Sequence, residues 1–195
     1  MNQVNLTDKI IVIAGPSGAG KSSLSYALAR QLALPIVEAD DIYHAIQAVT
    51  TPEQQPWIHF WETHPEANDL PDAEIIRLHI EVCRAMSAPL AAVIDNHIRT
   101  KRPILLEGDY ILPELVAKYP DDICAIYVME EERDQLVANF LEREPHAGEQ
   151  IRRADSSVDF GGWLARECEA HGLDVLPARP WPTVVERALA ILRVM

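Results

Sequence analysis

Gly15-Pro16-Ser17-Gly18-Ala19-Gly20-Lys21-Ser22 fits the phosphate-binding pattern G-x-x-x-x-G-K-S/T at every fixed position. Three of the chain's eight glycines fall in this turn, where backbone N–H groups must close around a phosphate chain with no side chains in the way. The pattern implies a nucleotide site in which Lys21 reaches the β and γ phosphates and the Ser22 hydroxyl holds Mg²⁺, with Ser23 completing the nucleotide-binding stretch. Its flanks agree. Ile10-Ile11-Val12-Ile13, within Lys9 to Ala14, is a short apolar run that reads as a buried parallel strand entering the turn. On the far side Leu24, Ala27, Leu28 and Leu32 recur at helical spacing, so a helix N-terminus points its partial positive charge at the phosphates.

The chain of 195 residues is 48% hydrophobic, enough for one well-cored α/β domain and short for two, so 1–195 reads as a single domain. A formal charge of −13 argues against a nucleic-acid partner, which needs a basic face, but not against a nucleotide, whose phosphates are met locally by N–H groups, one lysine and a metal ion. Cys83, Cys124 and Cys168 are odd in number and widely spaced, and read as reduced thiols, not as a disulfide or metal framework. No apolar run approaches the roughly 20 residues that span a bilayer. Met1 to Asp8 lacks the basic-then-apolar pattern of a signal peptide, which predicts a cytoplasmic location.

Downstream, Pro35 to Ala39 reads as a second strand ending in Asp40-Asp41. Carboxylates at the C-terminal edge of a parallel strand sit where open α/β sheets bind ligands, although acids also favour a helix first turn. Asp40 is the candidate base for an attacking hydroxyl, with Asp41 as the alternative, and Ser22, Asp40 and Glu107 are the candidate groups on the metal side. From Thr50 to Pro71, four prolines interleave with Trp57, His59, Phe60, Trp61 and His64; with Tyr43 onwards this predicts a cap of short helices and loops over about 43–71. Its aromatics either enclose an acceptor or form the cap's own core. Asp72 to Ser87 is an amphipathic helix, and Pro89 either starts a second one or kinks a continuous one. His79 and His97 read as packed side chains more than as catalytic ones.

Pro103 to Asp109 predicts a third buried strand ending in acids, with Glu107 and Asp109 both open as the group acting on the metal shell. Ile123 to Met129 predicts the fourth strand, followed by an acid-fronted helix from Glu130 to Arg143. Arg143, Arg152 and Arg153 lie in a polar, loop-like stretch, a candidate lid over about 143–156; such arginines either neutralise a phosphoryl group in flight or belong to a solvated turn. A helix from Ser157 to Gly172, a fifth strand at Asp174 to Pro177, and a last helix with Thr183 and Glu186 in capping-box register complete the pattern. Strands alternating with helices predict one parallel sheet wrapped on both faces.

With these residues in view, the chain resembles the small P-loop kinases of the nucleoside-monophosphate-kinase type, which include shikimate, gluconate and 2-phosphoglycerate kinases. Asp40-Asp41-Ile42-Tyr43 is similar to the segment whose aspartate orients or deprotonates the acceptor, and Ile104 to Pro113 to the third-strand segment of 2-phosphoglycerate kinases. Arg143, Arg152 and Arg153 fall where the family carries its arginine-bearing lid, and Val175 to Trp181, with Pro177 and Arg179, resembles the loop packed on the adenine ring. The resemblance implies a P-loop NTPase three-layer fold with strand order 2-3-1-4-5, ATP as donor, and a small-molecule hydroxyl as acceptor. A nucleotide-binding sensor that hydrolyses slowly is the alternative. A GTP switch is the weaker rival, because the guanine-reading Asn-Lys-x-Asp pattern is missing from the sequence.

Overall fold

The computed structural model describes residues 9–192; the expectation for Met1 to Asp8 lies outside them. The central strand β1, Ile10–Ala14, is buried at all five positions, and its alternating side chains serve two cores. Ile10, Val12 and Ala14 face the core built with the long helix α4 (Asp72–Thr100) and with α7 (Ile151–His171). Ile11 and Ile13 face the core shared with α1 (Lys21–Leu32) and α8 (Val184–Ile191). β1 pairs in parallel with β3 (Leu105–Gly108) on one side and β4 (Ile123–Met129) on the other. β2 (Ile36–Glu38) and β5 (Asp174–Pro177) form the edges, giving the order β2-β3-β1-β4-β5 that the resemblance implied. The register sets Ile13 beside Glu107, Ala14 beside Gly108, and Glu38 beside Glu107, so the C-terminal ends of three strands converge on one edge.

Several boundaries differ from the sequence pattern, each for a visible reason. Asp40 and Asp41 belong to the first turn of α2 (Ala39–Val49), because β2 closes at Glu38 and the helix starts at once. Pro89 lies inside a single helix: Met86 and Leu90, both fully buried, fix the two halves of α4 on the same core. The helix after β4 is α6 (Arg133–Arg143), starting three residues later than expected, because Glu130 turns inward and accepts from Arg179 Nε at 2.8 Å. Helix α7 begins at Ile151 and takes Arg152 and Arg153 into its first turn. Its inner stripe opens with Ala154 and Ser157, both buried but too small or polar to read as apolar signal. The capping box at Thr183 does not form: its Oγ1 donates to Pro180 O at 3.2 Å and accepts from Arg187 Nε at 3.3 Å.

The stretch from Thr50 to Pro71 holds α3 (Phe60–Thr63) and a 3-10 turn at Pro65–Asp69, whereas Tyr43 sits inside α2. Phe60 is its hub, stacking on Trp57 at 5.2 Å and on His64 at 4.6 Å and meeting Trp61 edge-on. Ile58 is buried beneath it and its carbonyl accepts from Tyr43 Oη at 2.6 Å, which ties the segment to α2. The four-residue helix α5 (Pro113–Val116) fills the turn between β3 and β4. Among the described residues no disulfide joins the cysteines, and no helix is long and apolar enough to cross a membrane.

Candidate active site

The phosphate loop runs from the end of β1 to Gly20, which caps α1 at φ 88, a left-handed conformation that a side chain would strain. At Gly15 a Cβ would stand 2.2 Å from Val128 O, so the close approach of the loop to β4 requires glycine there. Pro16 and Ala19 are buried, Ser17 and Gly18 half-buried, and Ser22 and Ser23 open to solvent at the start of α1. Lys21 is buried; its Nζ donates to Pro16 O at 2.9 Å and pairs with Asp109. Ser22 Oγ donates to Glu107 Oε1 at 3.4 Å. The loop is braced from below by α6, where Asn139 Nδ2 donates to Gly18 O at 2.8 Å and the Phe140 ring lies against Gly18. Neither residue stands out in sequence, although Leu136 and Phe140 at i, i+4 are the signal of an inward face.

Three acids gather at the sheet edge. Glu107 is buried, and its carboxyl is raised to about 7, chiefly by desolvation and then by the charges of Asp109, Asp40 and Glu38, against the pull of Lys21. Asp40 keeps solvent access, yet enough protein surrounds its carboxyl that desolvation leads its upward shift, with Asp109 adding to it and Lys21 opposing. Asp41 stands about 100° further round α2. It lines a separate open groove of about 530 Å³ on the β2 edge with Tyr26, Glu38 and Ala45. The structure therefore brings Lys21, Ser22, Asp40, Glu107 and Asp109 together and sets Asp41 apart.

The three arginines have different surroundings. Arg153 reaches the loop, with Nη2 3.4 Å from Ser17 Oγ and its guanidinium 4.5 Å above the Phe140 ring, while Nη1 bonds Glu144. Arg143 lies on the same ring at 5.3 Å and pairs with Glu144. Arg152 points away towards the stretch from Thr50 to Pro71, donating to Leu70 O at 2.7 Å and lying 3.5 Å from Asp69. On the other flank Pro177 ends β5 and Arg179 is held by Glu130. Trp181 packs its ring 2.7 Å from where a Gly20 Cβ would stand. Arg187 gathers the carbonyls of Pro177, Ala178 and Pro180, fixing this loop beside the phosphate turn.

Beyond Asp109 the wall is aromatic. Tyr110 stacks on Tyr43 at 4.9 Å and 11°, and His79 bridges from Tyr110 to the Phe160 ring, 4.8 Å away and edge-on. Burial holds the His79 imidazole below its ordinary pKa, against the opposing charge of Asp109. His97 is remote and satisfied, with Nδ1 2.8 Å from Arg102 O.

Known proteins share this frame. The chain matches the cytidylate kinase family over residues 11–88. A tRNA dimethylallyltransferase from Lactiplantibacillus plantarum (strain ATCC BAA-793 / NCIMB 8826 / WCFS1) is 28% identical over 217 aligned positions, which cover 95% of this chain and 66% of that protein. One from Acaryochloris marina (strain MBIC 11017) is 46% identical over 59 residues, 26% of this chain and 20% of its own length. The chain thus spans less than two thirds of the length of each of these curated relatives. A gluconokinase from Sinorhizobium meliloti 1021 superposes with a TM-score of 0.51 at 18% identity, over 95% of this chain and 92% of that one. The shikimate kinase from Acinetobacter baumannii in complex with shikimate gives 0.55 at 14% identity, over 96% and 93%. The fold is that of the small P-loop kinases.

Proposed function

We propose that the protein transfers the γ-phosphoryl group of Mg·ATP to a hydroxyl of a small molecule. The observation that carries this reading is the junction of the phosphate loop with a strand-edge carboxylate set: Lys21 paired to Asp109, Ser22 bonded to Glu107, and Asp40 beside them. The loop amides and Lys21 hold the β and γ phosphates, for which Lys21 exchanges its contact with Asp109. Asp40 takes the acceptor proton as the acceptor oxygen bonds to the γ-phosphorus. The bridging P–O bond breaks and its electron pair leaves on ADP. Arg153, nearest the loop, offsets charge on the transferred group, with Arg143 beside it; Arg152 holds the cap against α7.

The residues fit Mg²⁺. Ser22 and Glu107 would hold it with Asp40 close by, and the charges of Asp109 and Asp40, which add to the desolvation that raises Glu107, are the kind of crowding that a cation relieves. With only these side chains near it, such an ion would take most of its oxygens from phosphate and water. Bound there, Mg²⁺ would neutralise phosphate charge.

The deciding experiment is ADP release from Mg·ATP across a panel of hydroxylated metabolites, with Lys21→Ala as control. Release that depends on an acceptor and falls by at least about a hundredfold in the variant supports the reading. A sensor would bind ATP without acceptor dependence. The likeness to tRNA dimethylallyltransferases favours a second reading, group transfer to RNA, against which the net charge of −13 weighs.

A further inference from the structure

We infer that Asn139 is a positioning residue for nucleotide binding: with Gln135 behind it, it fixes a peptide plane of the phosphate turn from outside the site. This rests on the nucleotide-binding part of the phosphotransfer reading and deepens it. A turn that receives phosphate through backbone N–H groups must keep its carbonyls turned outwards, since one reversed peptide would aim an oxygen at the anion. Glycine makes such a reversal easy, because both signs of φ are open to it. Gly18, at φ 80, stands in the middle of the turn, and its carbonyl is held from α6 by Asn139 Nδ2 at 2.8 Å. A Cβ on Gly18 would stand 2.8 Å from Phe140 Cζ and 3.0 Å from Leu136 Cδ2, so α6 packs directly on the backbone. Across the peptide bond the Ala19 N–H points the opposite way and meets Pro16 O at 3.4 Å, beside the 2.9 Å bond from Lys21 Nζ to the same oxygen. Two donors that a phosphate would draw on thus share one carbonyl, already gathered before the nucleotide arrives.

The orientation of the Asn139 amide follows from its neighbours. A backbone carbonyl can only accept, so Asn139 must present its NH₂ group to Gly18 and its oxygen to the other side. There Gln135, one turn earlier on α6, donates through Nε2 to Asn139 Oδ1 at 2.8 Å. The two amides form a relay of fixed sense, from Gln135 to Asn139 to Gly18, and both are half-buried, so water competes with them only in part. Reversing its first member reverses the second. A carboxylate at position 135 accepts and cannot donate; it would draw the Asn139 NH₂ group to itself and turn Oδ1 onto Gly18 O, setting two acceptors in contact. Gln135 therefore acts on the turn through Asn139.

The test is the Kd of Mg·ADP, measured by isothermal titration calorimetry on the full chain and its variants at about 150 mM salt. Asn139→Leu, close in volume and without a donor, is expected to raise Kd about five- to twentyfold. Gln135→Glu is expected to raise it about three- to tenfold, whereas Gln135→Leu, which removes the same bond without reversing the relay, stays within about twofold. In the double variant Gln135→Glu/Asn139→Leu, Kd matches that of Asn139→Leu alone, because the carboxylate acts through an amide that is no longer there. Asn139→Ala takes the place of Asn139→Leu where the latter does not fold. An unchanged Kd in a folded Asn139 variant or in Gln135→Glu overturns the inference. So does a loss in Gln135→Leu equal to that in Gln135→Glu, which marks packing, and so do losses that add in the double variant, which mark the new charge alone. Wild-type protein that binds neither Mg·ADP nor Mg·ATP overturns the nucleotide reading, and this inference with it.

Discussion

Asp40 and Asp41 are neighbours in sequence and about 100° apart around α2, and that difference separates their surroundings. Asp40 shares its electrostatics with Asp109 and Lys21; Asp41 lines the groove on the β2 edge. Asp40→Asn is therefore expected to lower kcat by about 10²–10⁴ while ATP still binds, and Asp41→Asn to leave kcat within a few-fold, both read by steady-state kinetics. Glu107 makes a second statement, in stability. Its carboxyl is at about 7 in the fold against an ordinary 4.5, so the fold prefers it protonated. The stability it contributes is full below about pH 4.5 and is lost as pH rises through 7, amounting to up to about 3 kcal/mol. Urea unfolding in EDTA, without nucleotide, should show stability falling between pH 5 and pH 8, and Glu107→Gln should flatten that slope.

Among the elements, α4 reaches about 43 Å if straight and carries a proline where a helix has little tolerance for one. Both halves are pinned by buried side chains, so Pro89→Ala is expected to restore an N–H without moving the axis. Thermal unfolding should register a gain of about 1–2 kcal/mol, less than the full helix penalty because the proline also stiffens the unfolded chain. This helix also marks where sequence was informative and where it fell short. The phosphate loop and the inner strands could be read because glycine, lysine and unbroken apolar runs are there for local reasons: Ile10 to Ala14 has no face on which to hide a polar group. The start of α7 was not readable, since Ala154 and Ser157 are buried by packing partners that no local pattern names. The same holds for the site. Lys21 and Ser22 announce themselves, but the separation of Asp40 from Asp41, and the supporting parts of Asn139, Phe140 and Tyr110, depend on strand register and helix phase.

At the scale of the whole molecule, charge and architecture point the same way. A net −13 leaves little of the positive surface that holds a nucleic-acid backbone. Filter binding at about 150 mM salt should retain no tRNA, and retention would instead favour the RNA-transfer reading. Within that acidic molecule the phosphate turn sits between Lys21 and the neighbouring Arg143 and Arg153, which share Glu144. One aromatic ring lies under both halves of that arrangement: Phe140 has Gly18 against one side and carries the two guanidinium groups. A single truncation there, Phe140→Ala, would therefore take the packing from Gly18 and the resting surface from both guanidinium groups at once.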